Sequence, residues 1–64
     1  MLKLVSLQSA GSQIAKVWQD GARYRIEIVS VIAQDNIWRH MLPQIFYSER
    51  PAIHFAGNCL AGVA

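Results

Sequence analysis

KVWQDGARYRIEIV, residues Lys16–Val29, is the stretch whose reading decides the fold. Two segments of alternating apolar and polar residues flank Asp20-Gly21. A two-residue type I′ turn needs positive φ at both central residues, and Asp and Gly tolerate it. The stretch therefore predicts a β-hairpin with Asp20-Gly21 as its loop. In that register Val17 faces Tyr24 and Ala15 faces Ile26, with Ile28 extending the same apolar face. The other face carries Trp18 opposite Arg23, Lys16 opposite Arg25 and Ile14 opposite Glu27. A slip of one residue would turn the arginines into the core, so alternation fixes which face is buried.

Upstream, LKLVSLQ (residues 2–8) is rich in branched apolar residues and reads as a strand, and Ser9–Ser12 as a turn before the strand Gln13–Gln19. Downstream, the third strand runs through IVSVIA (residues 28–33), where alternation stops and both faces are apolar except at Ser30. Such a segment is buried on both sides, lies at a dimer interface, or bends.

Ile37, Trp38, Met41, Leu42, Ile45 and Phe46 then recur in pairs four residues apart, as on one stripe of an amphipathic helix, and Asp35 is a good N-cap. Pro43 would remove a hydrogen bond within that helix. The expectation is a helix over Asn36–Leu42 covering the sheet, with Pro43–Tyr47 open between helix and strand. AIHFAG (residues 52–57) reads as a short strand, and residues 57–64 as a tail that packs on a partner or frays. The predicted class is α+β: one domain over residues 1–64, with a small antiparallel sheet, a meander of about three strands, one short helix packed on it and a short C-terminal strand.

Sixty-four residues bury little of their own surface, only roughly 60% of what the unfolded chain exposes. Yet 53% of the residues are hydrophobic and only 16% charged, against about 25% charged in ordinary domains. A domain this small cannot hide that much apolar area alone, so the composition predicts a protein partner or a homo-oligomer. The net charge of +2 is below the usual excess of a dedicated nucleic-acid binder. Cys59 is the only cysteine, which excludes an intrachain disulfide and suits a reducing, cytoplasmic setting. The longest uncharged run, Pro51–Ala64, is too short to span a membrane, and Leu4–Leu7 is too short for a secretory leader. The chain opens on Met1 and reads as a complete small open reading frame, a class that includes phage and mobile-element proteins acting on host factors.

The chemistry-bearing residues do not assemble into a signature. His40, His54, Cys59 and Asp35 have the types for zinc but not the two-to-four spacing by which a turn presents two ligands. Cys59 and His54 would need a positioned base and an oxyanion hole to act as a nucleophilic pair, and GxGxxG and GxxxxGK loops are absent. No catalytic, cofactor-binding or metal-ligating residue is assigned, no cofactor is expected, and the chain is expected not to be an enzyme.

The hairpin face is the best functional candidate. Lys16, Trp18, Arg23 and Arg25 gather three of the six basic residues beside an indole. Trp and Arg dominate protein-interface hot spots, and a basic ribbon also fits a nucleic-acid groove. A merely solvated face is the plain alternative. The leading expectation is a non-enzymatic protein-interaction module, of inhibitor or adaptor type, that meets another protein's acidic surface or itself. The alternative is a nucleic-acid-binding protein that uses the ribbon as a dimer.

Overall fold

The computed structural model describes residues 2–61. The elements are β1 (Leu2–Ala10), β2 (Gln13–Asp20), β3 (Arg23–Ala33), β4 (Asn36–Phe46) and α1 (Glu49–Leu60). The strands form one antiparallel meander in the order β1-β2-β3-β4, and α1 returns across one face. The class is the expected α+β, with four strands rather than about three.

The hairpin at Asp20-Gly21 forms, but its two-residue loop is Gly21-Ala22 and Asp20 pairs with Arg23. Gly21 has φ +63° and no non-glycine residue described has positive φ, so the turn is of the II′ kind, with positive φ at its first central residue only. The same device closes β1 onto β2, where Gly11 (φ +61°) and Ser12 lie between the paired Ala10 and Gln13. The type II′ turn frees Asp20 from a left-handed conformation, which costs any residue with a Cβ. It also moves the register by two. An even shift keeps every side chain on its face but changes its partner. Val17 meets Ile26, Trp18 meets Arg25, and Lys16 meets Glu27 rather than Arg25. The like-charge pair expected from the sequence is thereby replaced by an opposite-charge one.

The helix expected over Asn36–Leu42 is instead the first part of β4. Positions four apart share a face in a strand as well as in a helix, because four is a multiple of the strand period and close to one helical turn. Ile37, Met41 and Ile45 therefore occupy one face of β4 while Trp38, Leu42 and Phe46 occupy the other. Pro43 agrees with a strand here. It lies on the edge strand, inside the register break between the Glu27–Met41 and Arg25–Ile45 pairs, where its missing N–H leaves no ladder bond unmade. The Nη2 of Arg25 donates to the Leu42 carbonyl beside it at 3.3 Å.

The strand expected at Ala52–Gly57 lies inside α1, and the expected tail is helical as far as Leu60; residues 62–64 fall outside the described residues. Ser48 stands at the N-cap in extended conformation, Glu49 begins the helix, and Pro51 sits in the first turn, where no intrahelical N–H bond is lost. Ala52, Ala56 and the partly buried Ile53, Phe55 and Leu60 follow at helical spacing.

The core lies between α1 and the sheet. Ala15, Val17, Ile26, Ala52 and Ala56 have no accessible surface, and Phe46 meets Phe55 at 5.3 Å between ring centroids. Small residues bring the helix close. A Cβ on Gly57 would stand 3.1 Å from Gln8 Oε1, while Gln8 Nε2 donates to the Ile53 carbonyl at 3.1 Å.

Candidate interaction surface

Ala15, Val17 and Ile26 point toward α1, so Lys16, Trp18, Arg25 and Glu27, at the alternate positions, lie on the opposite face of the sheet. No element of the described chain covers that face. Arg23 joins it, so Lys16, Trp18, Arg23 and Arg25 are brought together as the sequence predicts.

The pairings arrange this open face in cross-strand rows. One row runs Leu2, Asp20, Arg23, and the next Leu4, Trp18, Arg25, Ile45. Then come Leu7, Lys16, Glu27, Met41, followed by Ser9, Ile14, Val29, Arg39. The two middle rows share one pattern: aliphatic residues on the edge strands and a polar pair on the central ones.

The polar groups are already engaged with each other. The Trp18 indole N–H donates to Glu27 Oε1 at 3.1 Å, and the Arg23 guanidinium stands 3.9 Å from the Asp20 carboxylate. Arg25 Nε is buried and makes no hydrogen bond. The face carries Lys16, Arg23, Arg25 and Arg39 against Asp20 and Glu27, a modest positive excess.

The apolar content of this face was not foreseen from the sequence. Ten large hydrophobic residues are exposed among those described, and seven of them (Leu2, Leu4, Leu7, Val31, Ile37, Met41 and Ile45) lie here. The signal was present in LKLVSLQ, where both sides of the strand are apolar, but β1 had no assigned register to convert it into a face. On the helix side, Trp38 and His40 stack at 5.2 Å beyond the reach of α1.

The remaining candidates do not converge. His54 and Cys59 are both on α1, and five residues of helix set them about 140° apart around its axis rather than side by side. Gly57 and Asn58 are helical and form no turn. Among the described residues no three His, Cys, Asp or Glu side chains gather where they could hold a metal ion, and no pocket opens in the surface. Among the described residues no helix is long and apolar enough to cross a membrane.

No protein-family model matches the chain, and neither a curated protein nor a solved structure shows significant similarity to it.

Proposed function

We propose that this chain is a non-enzymatic protein-interaction module whose binding surface is the helix-free face of the sheet. One observation carries the reading: seven of the ten exposed large hydrophobic residues share a face with Trp18 and Arg25. Exposed apolar residues gathered on one face beside Trp and Arg mark a binding surface, whereas ordinary surfaces scatter their apolar residues. The chain acts by covering protein surface, as an inhibitor or adaptor does.

Nucleic-acid binding is the second reading, favoured by the four cations on this face. Aliphatic residues at both edges and only two cations in excess weaken it, because nucleic-acid affinity comes chiefly from cations that neutralise phosphates. A photo-crosslinking residue at Leu7 on the open face, compared with one at His54 on the exposed side of α1, tests both in the chain's own cell. Discrete protein adducts from position 7 and none from 54 are expected. Nuclease-sensitive adducts would replace the first reading with the second, and equal labelling from both positions would overturn both.

A further inference from the structure

We infer that the partner on the open face is a second copy of this chain, packed sheet against sheet about a two-fold axis that runs along the strands between β2 and β3. The inference rests on the reading of this face as a protein-binding surface and names its occupant.

The argument is the self-complementarity of the rows. Such an axis lays β2 over the partner's β3 and β1 over the partner's β4, with every row above itself. Lys16 then faces the partner's Glu27, and Asp20 faces the partner's Arg23; symmetry makes each contact twice. Trp18 meets the partner's Arg25, a cation–π arrangement. At the rims Leu4 meets the partner's Ile45 and Leu7 meets the partner's Met41. The other two-fold in this plane, across the strands, exchanges rows instead. Placed between the two middle rows, it also makes opposite-charge contacts, Arg25 over the partner's Glu27, but it sets Ile14 over the partner's Asp20, burying charge against aliphatic surface.

Size and edges agree. Four strands about 4.8 Å apart and roughly eight residues long at about 3.4 Å each make a plane on the order of 500 Å². Side-chain relief raises that toward the roughly 600–1,000 Å² per partner of specific interfaces. Association through the sheet edges is disfavoured, since β1 carries a bulge between Leu4 and Ser6 and β4 carries Pro43. Packed sheets about 10 Å apart keep strand directions within about 30°, so the central β2–β3 contacts align best. The mismatch in the outer rows selects this orientation, and the central ion pairs fix its register more than they add affinity.

Charge exchange in a mixture tests the inference. In K16E the partner's Glu27 faces a glutamate twice, and in E27K the partner's Lys16 faces a lysine twice. Each variant alone should dissociate roughly a hundred-fold more readily than the parent, since two like-charge contacts are made per dimer. Mixed one to one, they form a heterodimer in which both contacts are again of opposite charge. Sedimentation equilibrium at micromolar concentration should give twice 7.2 kDa for the parent, the monomer mass for each variant and the dimer mass for the mixture. If circular dichroism shows either variant unfolded, L7E and M41K replace them at the rim: each alone sets a charge against an aliphatic residue twice and should be monomeric, while their heterodimer regains one opposite-charge contact and one native Leu7–Met41 contact. A monomeric parent, or no recovery on mixing, overturns the dimer. Adducts to a different protein from a crosslinker at Leu7 would then leave the interaction reading standing, and their absence would remove both.

Discussion

The indole N–H of Trp18 and the carboxylate of Glu27 meet at 3.1 Å on the diagonal of the β2–β3 pair. The bond exists only in the register set by Gly21-Ala22, which puts Lys16 rather than Ile14 opposite Glu27. One carboxylate thus pins the indole and sits beside two cations on a half-buried sheet face. A hydrogen bond to a charged group contributes about 1.5–3 kcal/mol, less where solvent reaches it. Glu27→Ala should lower unfolding stability by about 1–2 kcal/mol in urea titrations. Glu27→Gln, which keeps an acceptor, should lose about half as much.

The turn makes a second claim. Gly21 has open space around its absent Cβ, so a side chain there clashes with nothing distant. The obstacle is its φ of +63°, which an L-residue in a type II′ turn holds only at a cost of about 1–3 kcal/mol. Gly21→Ala should therefore destabilise by that amount, whereas Ala22→Gly should cost less than about 1 kcal/mol. Were Asp20-Gly21 the loop, Ala22→Gly would fall in a strand and Asp20 would need positive φ. Thermal melts of Asp20→Ala distinguish the two, since removing Asp would then impose left-handed strain on a residue less tolerant of it.

What the sequence displayed was local. Alternation over Lys16–Ile28 and the glycine of the turn were enough to place the central hairpin and to sort its faces. They could not choose between two registers of the same parity, because both bury Val17 and Ile26; turn geometry makes that choice. The interchange of helix and strand after residue 35 has a different cause. Apolar pairs four apart satisfy both periods, and the length of β3 decides for a strand, since Glu27–Ala33 would otherwise leave one edge unpaired. The helix is legible in Ser48-Glu49-Arg50-Pro51 followed by Ala52, Ile53, Ala56, Cys59 and Leu60, but the short apolar run AIHFAG taken alone reads equally as a strand. The apolar half of the open face needed β1 and β4 in register, which only long-range pairing supplies.

Gly57 and Gln8 are coupled. Replacing a helical glycine by alanine normally stabilises by about 0.8–1 kcal/mol. Here the new methyl would lie 3.1 Å from Gln8 Oε1, on a side chain held by its bond to the Ile53 carbonyl. Gly57→Ala should be neutral or mildly destabilising alone, yet stabilising by about 1 kcal/mol in a Gln8→Ala background. A double-mutant cycle by chemical denaturation measures the difference, and additive effects would show that the two groups do not press on each other.

The thin core and the apolar open face predict opposite responses to the same chemical change. Ile26 is fully buried, and an Ile→Ala change in a core costs about 2–5 kcal/mol. A single core of this size contributes roughly 3–5 kcal/mol in total, so Ile26→Ala should leave much of the chain unfolded at room temperature. Leu7 loses as many carbons on truncation, but it is 55% exposed on the open face. Leu7→Ala should change the stability of the isolated chain by less than about 0.5 kcal/mol. Its effect belongs to association, where a rim aliphatic packed on the partner's Met41 is lost twice in a symmetric dimer. Denaturation midpoints should therefore fall at high protein concentration and match the parent on dilution below the dissociation constant. A Leu7→Ala deficit of equal size at every concentration would mean that Leu7 packs within its own chain.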